Sequence, residues 1–153
     1  MLWSNLTSGA YCWYENNQVT NAKFGALYNW FAVYDNRKLC PAGWHVPSDQ
    51  EWYSLAVLLG GENIAWGKLK SVNDVWQDPN LDATNISGFS GLPSGSRQNT
   101  GEFFYLGYHL FSWTATETSY NLARYRWLRY DNSQLNQGVA GKTNGFSVRC
   151  VKD

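Results

Sequence analysis

The run Arg124-Tyr125-Arg126-Trp127-Leu128-Arg129-Tyr130 interleaves three guanidinium groups with three aromatic rings. Such residues give large contact area and several hydrogen bonds at small entropy cost, which is the chemistry of binding hot spots. The run also fits a strand whose alternate residues are solvated. A third fit is single-stranded nucleic acid, where bases stack on rings and arginine follows phosphate. Twelve basic and twelve acidic residues cancel, so three arginines make a small patch, and the electrostatic footprint of duplex nucleic acid or an anionic membrane is missing. Across 118–144 a pure scaffold would show regular apolar alternation, yet only Leu122, Ala123, Leu128, Leu135 and Val139 read as core there. The expected ligand-binding residues are therefore Tyr108, Tyr120, Arg124, Arg126, Trp127, Arg129, Tyr130, Gln134, Asn136 and Gln137. Of these, Arg124, Arg126, Arg129 and Tyr130 are expected to be exposed on one face, with Tyr108 and Tyr120 nearby.

Catalytic constellations are not legible. A cysteine hydrolase needs a nucleophile, a base and an orienting group. His45 could serve as a base near Cys40, but its place just before a helix reads as a structural histidine bonding the backbone. His109, among Tyr108, Leu110 and Phe111, reads as half-buried. Asp49 and Glu51 belong to a capped helix start, where negative charge suits the helix dipole, and Glu117 forms no evident pair. Cys12, Cys40 and Cys150 are far apart, with no C-x-x-C, and the histidines are isolated. The close-spaced ligand pairs of a zinc site are missing, and three cysteines allow at most one internal disulfide. The chain reads as a non-enzyme.

These residues need positioning elements. At 153 residues the chain is the size of one domain, 1–153, able to bury roughly 68–70% of its unfolded surface. Aromatics make up 17% of it and charged residues 16%, which excludes disorder. No apolar run reaches the ~20 residues of a membrane span. No signal peptide is visible, and the start reads like a domain cut from a longer polypeptide. Tyr11-Cys12-Trp13-Tyr14 followed by Glu15-Asn16-Asn17-Gln18 predict a short strand and then a turn. Phe24, Leu27, Tyr28 and Phe31 fall on one helical face, predicting a buried helix that ends near Asp35-Asn36. Lys38 to Pro47, with two prolines and a glycine, is an extended connector. Ser48-Asp49-Gln50-Glu51 has the form of a capping box and opens a helix carrying Trp52, Leu55, Ala56 and Leu59, which Gly60-Gly61 ends. Beyond residue 62, bursts at 88–92, 103–106, 111–114, 126–128 and 146–151 predict short strands between long loops. Two helices followed by short antiparallel strands give an α+β class.

Cys40-Pro41-Ala42-Gly43-Trp44-His45-Val46-Pro47-Ser48-Asp49-Gln50-Glu51-Trp52 and Gly145-Phe146-Ser147-Val148-Arg149-Cys150-Val151 make a specific pair of landmarks. With Gly25 to Trp30, Gly67 to Lys70, Ala83-Thr84-Asn85, Gly88-Phe89 and Trp113 to Glu117 between and around them, nearly the whole chain resembles the Fibrobacter major paralogous domain family. The same landmarks are similar, more loosely, to the formylglycine-generating (sulfatase-modifying) group. The resemblance implies a C-type lectin-like fold, in which N- and C-terminal strands meet and a loop-rich region carries the ligand surface. It also implies a disulfide between Cys40 and Cys150, with Cys12 free or paired elsewhere. It points to a secreted or surface-displayed bacterial protein that binds a protein or glycan ligand through 118–144.

Formylglycine-generating chemistry requires a reactive cysteine pair near the C-terminal end, and only Cys150 stands there. Sugar-binding C-type lectins hold calcium with Glu-Pro-Asn or Gln-Pro-Asp and a later Trp-Asn-Asp. Here Gln77-Asp78-Pro79-Asn80 has a different order, and Asp131-Asn132 has no tryptophan before it. No cofactor is expected, calcium being the one that polar loops could hold. The Trp113–Glu117 and Gly145–Arg149 landmarks also resemble those of variable proteins of diversity-generating retroelements. There the interval corresponding to 118–144 is rich in residues reachable from asparagine codons by adenine changes. Asn121, Asn132, Asn136, Asn144, Tyr120, Tyr125, Tyr130 and Ser133 are of that kind.

Overall fold

The computed structural model describes residues 2–134 and 136–153; the expected core residue Leu135 lies outside them. The chain opens with a single 3-10 turn, Trp3–Asn5, and then β1 (Tyr11–Cys12). Two more 3-10 turns, Tyr14–Asn16 and Ala22–Phe24, flank the one-turn helix α1 (Gln18–Asn21). The helix predicted from Phe24 onward is not formed as one element. Gly25 has φ +83°, a conformation that favours glycine, and the chain leaves the helical path there. Leu27–Tyr28 become β2, which pairs antiparallel with β1. Only Trp30–Val33 is helical (α2).

Asn29 is the physical reason for this break. Its Oδ1 accepts from the Ala10 N–H at 2.9 Å and the Ala32 N–H at 3.2 Å, and its Nδ2 donates to the Ser8 carbonyl at 2.9 Å. One fully buried side chain thus caps α2 and ties it to the N-terminal segment, overriding the apolar periodicity.

The connector holds β3 (Trp44–His45), and the capping box is as expected: Ser48 Oγ accepts from the Glu51 N–H, and the Glu51 carboxylate accepts from the Ser48 N–H. Helix α3 spans Asp49–Leu58, and α4, which sequence periodicity did not reveal, spans Ala65–Leu69. The strands β4 (Ser94–Arg97), β5 (Phe103–Leu106), β6 (His109–Ser119), β7 (Leu122–Arg129) and β8 (Asn136–Gly141) form one sheet in the order β5-β4-β6-β7-β8. Its pairings are antiparallel except β4 with β6. The burst at 88–92 is loop. That at 146–151 forms isolated bridges and the short β9 (Val151–Lys152), which pairs with β3.

Beside that pair Cys40 is bonded to Cys150, 110 residues away. Closing so long a loop constrains the unfolded chain by about 4–5 kcal/mol in the entropy model. Cys12 is free and buried. Burial pushes its thiol pKa up, an effect that Arg97 partly opposes.

The sheet is packed on both sides, unequally. Trp52, Ala56, Trp66, Leu69 and Trp76 cover one face with Leu110 and Leu128. Trp30 and Phe146 cover part of the other, over Phe111, Trp113 and Ala123. The tryptophans also staple loops. The indole N–H of Trp3 donates to the Thr143 carbonyl, that of Trp30 to Thr114, that of Trp113 to Tyr28 and that of Trp76 to Gly91. A fold with few long elements is thereby held by side chains that bury large area and still satisfy a polar atom. Among the described residues no helix is long and apolar enough to cross a membrane.

Candidate binding surface

Strand alternation divides the expected site between two faces of the sheet. His109, Phe111 and Trp113 of β6 stand opposite Arg129, Trp127 and Tyr125 of β7, while Leu110 and Ser112 stand opposite Leu128 and Arg126. Arg124 and Arg126 therefore share a face with Leu128, and Trp127 and Arg129 lie on the other. The expectation of one exposed arginine face is corrected.

Arg126 is 3% exposed. Its Nε donates to Asp49 Oδ1 at 2.7 Å and its Nη2 to Asp49 Oδ2 at 2.8 Å. Asp49 begins α3, and its backbone N–H donates to Thr116 Oγ1 on β6. The first turn of α3 is thus docked on the sheet, and Arg126 neutralises the carboxylate that docks there. Arg124, half-buried, lies at the rim of this pair, 3.9 Å from Asp49 Oδ2, with Gln137 Oε1 at 3.4 Å. Of the expected core residues, Ala123 and Leu128 are buried, but Leu122 and Val139 are 40% and 48% exposed. Leu122 opens β7 beside the β6–β7 turn, and Val139 lies on the edge strand β8.

The other face carries an aromatic row. Tyr105 stacks on His109 with ring centroids 4.5 Å apart, and His109 lies 5.4 Å from Trp127. Trp127 stacks on Phe111 at 6.0 Å, with the Arg129 guanidinium 5.8 Å from its own ring. Tyr125 continues the row by lying over Gly138. A Cβ at that glycine would sit 2.6 Å from the ring, so a side chain there would push the tip of Tyr125 aside. Tyr105 is exposed, while His109, Trp127, Arg129 and Asn136 are half-buried. Arg129 is held by Asp131 at 2.8 and 2.6 Å. Asn136, paired in register with Trp127, donates to the Gln134 carbonyl.

Burial lowers the His109 pKa to about 4, with the Arg129 charge adding to the effect. The imidazole is therefore neutral at pH 7 and belongs to the aromatic row. Tyr130 packs at the edge of the first core and meets Tyr108 edge-on at 5.3 Å. Gln134 and Gln137 are exposed. Tyr120, 89% exposed, stands at the tip of the β6–β7 turn, apart from the row. Sequence reasoning missed Tyr105 and His109 as neighbours of Trp127. The signal was the pair of aromatic runs 103–106 and 108–111 around Gly107, which brings their ends together.

His45, expected to bond backbone, instead meets two carboxylates. Its Nδ1 is 2.6 Å from Asp153 Oδ1 and its Nε2 is 2.8 Å from Glu51 Oε1, and these contacts raise its pKa, Asp153 most. It joins the capping box of α3 to the end of β9. Lys70, fully buried, donates to the carbonyls of Leu81, Arg129 and Asn132 at 2.6, 3.1 and 3.2 Å. No group of three or more His, Cys, Asp or Glu placed to hold a metal ion occurs among the described residues.

The geometry defines a disulfide-closed α+β domain with one largely covered sheet face and one partly open aromatic face. Residues 3–152 match the model of the Fibrobacter succinogenes major domain, and the chain belongs to that family. No match was found among curated proteins or among solved structures.

Proposed function

We propose that this domain is a non-enzymatic binding module of C-type lectin-like fold, displayed outside a bacterial cell, that takes a protein or glycan ligand on the open face around Trp127. The observation that carries this reading is the row Tyr105–His109–Trp127. Rings are exposed elsewhere too, Tyr11, Tyr34, Trp44 and Tyr120 among them, but this row joins three contiguous rings, packed at one end on a core cluster and open at the other, with Arg129, Asp131 and Asn136 beside them. Amphipathic rings fringed by hydrogen-bonding groups are the composition of hot spots. The pairing of β3 with β9 beside the disulfide supports the fold reading, and a disulfide suits an oxidising compartment. A role without catalysis is supported by the state of the reactive groups. His45 is engaged by two carboxylates, His109 is neutral within a stack, Cys150 is bonded to Cys40 and Cys12 is buried.

The test is a glycan and protein array probed with the wild type and with a Tyr105→Ala/Trp127→Ala double variant. Binding by the wild type, lost in the variant while its circular dichroism is kept, is expected. A ligand retained by the variant overturns the assignment of the face. A diversity-generating retroelement origin is a second reading, supported by the exposure of Tyr120 and Asn121. Neighbouring gene copies differing at these codons would support it; identical copies would not.

A further inference from the structure

A cavity of about 260 Å³ lies on the sheet face opposite the aromatic row, between the loops carrying Phe24 and Phe89, strand β6 and the C-terminal segment. Its walls are mainly apolar, with Phe24, Leu92 and Leu110 among them. Two polar features stand out. Ser112 is 3% exposed, lines the cavity, and its Oγ has no hydrogen-bond partner among the described residues. A buried hydroxyl without a partner costs free energy comparable to a lost hydrogen bond, which a polar group of a ligand in the cavity would recover. The hydroxyl of Ser147, also in the wall, is by contrast satisfied by Ser94 at 2.7 Å.

Arg149 is the cavity's one charged wall residue among those described. Its guanidinium lies 4.4 Å from the Phe89 ring centroid and donates through Nη2 to the Phe89 carbonyl. No carboxylate lies within ion-pair distance of it among the described residues. Phe89 thus holds it in place while most of its five donors stay uncommitted. Behind the cavity, Arg126, the cross-strand neighbour of Ser112, also leaves Nη1 without a partner among the described residues. The charge of Arg126 is spent on Asp49, so the uncommitted guanidinium of Arg149 and the unused Ser112 hydroxyl, set around an apolar hollow, favour a negative ligand with a hydrophobic body.

We propose that this cavity is a second binding site, for a small monocarboxylate with an apolar body and a hydroxyl. Arg149 takes the carboxylate and Ser112 bonds the ligand hydroxyl. The site is independent of the surface around Trp127, because Leu110 and Ser112 point away from His109 and Phe111.

The probe is 4-hydroxybenzoate, titrated into the 15N-labelled domain by NMR. Benzoate, which lacks the hydroxyl, and 4-hydroxybenzyl alcohol, which lacks the charge, are the comparisons. Saturable shifts at 110–112 and 147–149 are expected. Benzoate should bind about 3- to 10-fold more weakly and the neutral alcohol about tenfold or more weakly, the range for a neutral and a charge-assisted hydrogen bond. Arg149→Gln should erase the preference for charge. Ser112→Ala should bring 4-hydroxybenzoate to the affinity of benzoate and leave benzoate unchanged. The proposal is overturned by absence of saturation, by shifts confined to the Trp127 face, or by equal binding of the three compounds. The last comparison needs only the wild type, so it decides even where a variant fails to fold.

Discussion

The two faces of β7 carry similar residues and put them to different use. On one face Arg126 is sealed under the first turn of α3 and makes a two-point ion pair with Asp49. On the other, Arg129 makes an equally short two-point pair with Asp131, but both side chains keep about a third of their surface in solvent. Geometry alone would rank the pairs together. The surroundings separate them: a buried pair broken on one side leaves an uncompensated charge in low dielectric, whereas an exposed pair is screened and nearly neutral in stability. The guanidinium–aromatic run is therefore half scaffold and half surface.

The contrast predicts a steep gradient of mutational cost along seven residues. Arg126→Ala should destabilise the domain by about 3–5 kcal/mol, because Asp49 then stays beneath α3 without its partner. Urea unfolding at pH 7 measures this, and a loss under about 1 kcal/mol would erase the distinction between the faces. Next in size is Lys70→Met, which strips the carbonyls of Leu81, Arg129 and Asn132 of their shared donor. A cost of about 2–3 kcal/mol is expected, that of leaving buried acceptors unmade.

Lys70 also gives the closed side a pH signature. Burial lowers its pKa to about 8 from 10.5, so above pH 8 the unfolded chain binds more protons at this position than the folded one. Stability attributable to Lys70 must then rise from pH 8 toward 9.5. Wild type and Lys70→Met unfolding curves across that window should converge in slope only if the lysine does not titrate there. On the open face Trp127→Ala should cost about 1–2 kcal/mol, less than a core tryptophan because part of the ring already meets water.

How much of this was readable in advance follows the same division. The capping box at Ser48 and Glu51 is local chemistry, and it formed as written. The family landmarks placed the disulfide. The buried state of Arg126 was not readable, because it depends on where α3 docks, a contact between residues 49 and 126 that no local pattern encodes. The helix expected from Phe24 failed for a related reason. Its apolar spacing was real, but Asn29 spends its side chain on Ser8 and Ala10, and β2 pairs with β1. Strands β4 and β8 escaped because Ser94-Gly95-Ser96-Arg97 and Asn136 to Gly141 carry almost no apolar alternation. The sheet holds them through backbone pairing and through glycines that make room for neighbouring rings.

The smallest effect tests the open face most directly. Arg129→Ala should change stability by no more than ~0.5 kcal/mol, as for other exposed pairs, yet it should be visible at His109. Burial is the main cause that holds the His109 pKa near 4, and the positive charge of Arg129 is the next, opposed by Asp131. Removing the guanidinium leaves the burial, deletes the repulsion and frees the carboxylate, so the pKa must move up toward the ordinary value of 6.5 without reaching it. Because the folded pKa lies below the unfolded one, His109 favours the folded state more as pH rises from 4 to 6.5. Arg129→Ala should flatten that rise. NMR titration of the imidazole carbon-bound protons reads the shift in both proteins. An upward shift with unchanged stability at pH 7 establishes Arg129 as a surface charge acting on the aromatic row. An unmoved pKa with a loss of several kcal/mol would make Arg129 a second Arg126 and close the face that the comparison leaves open.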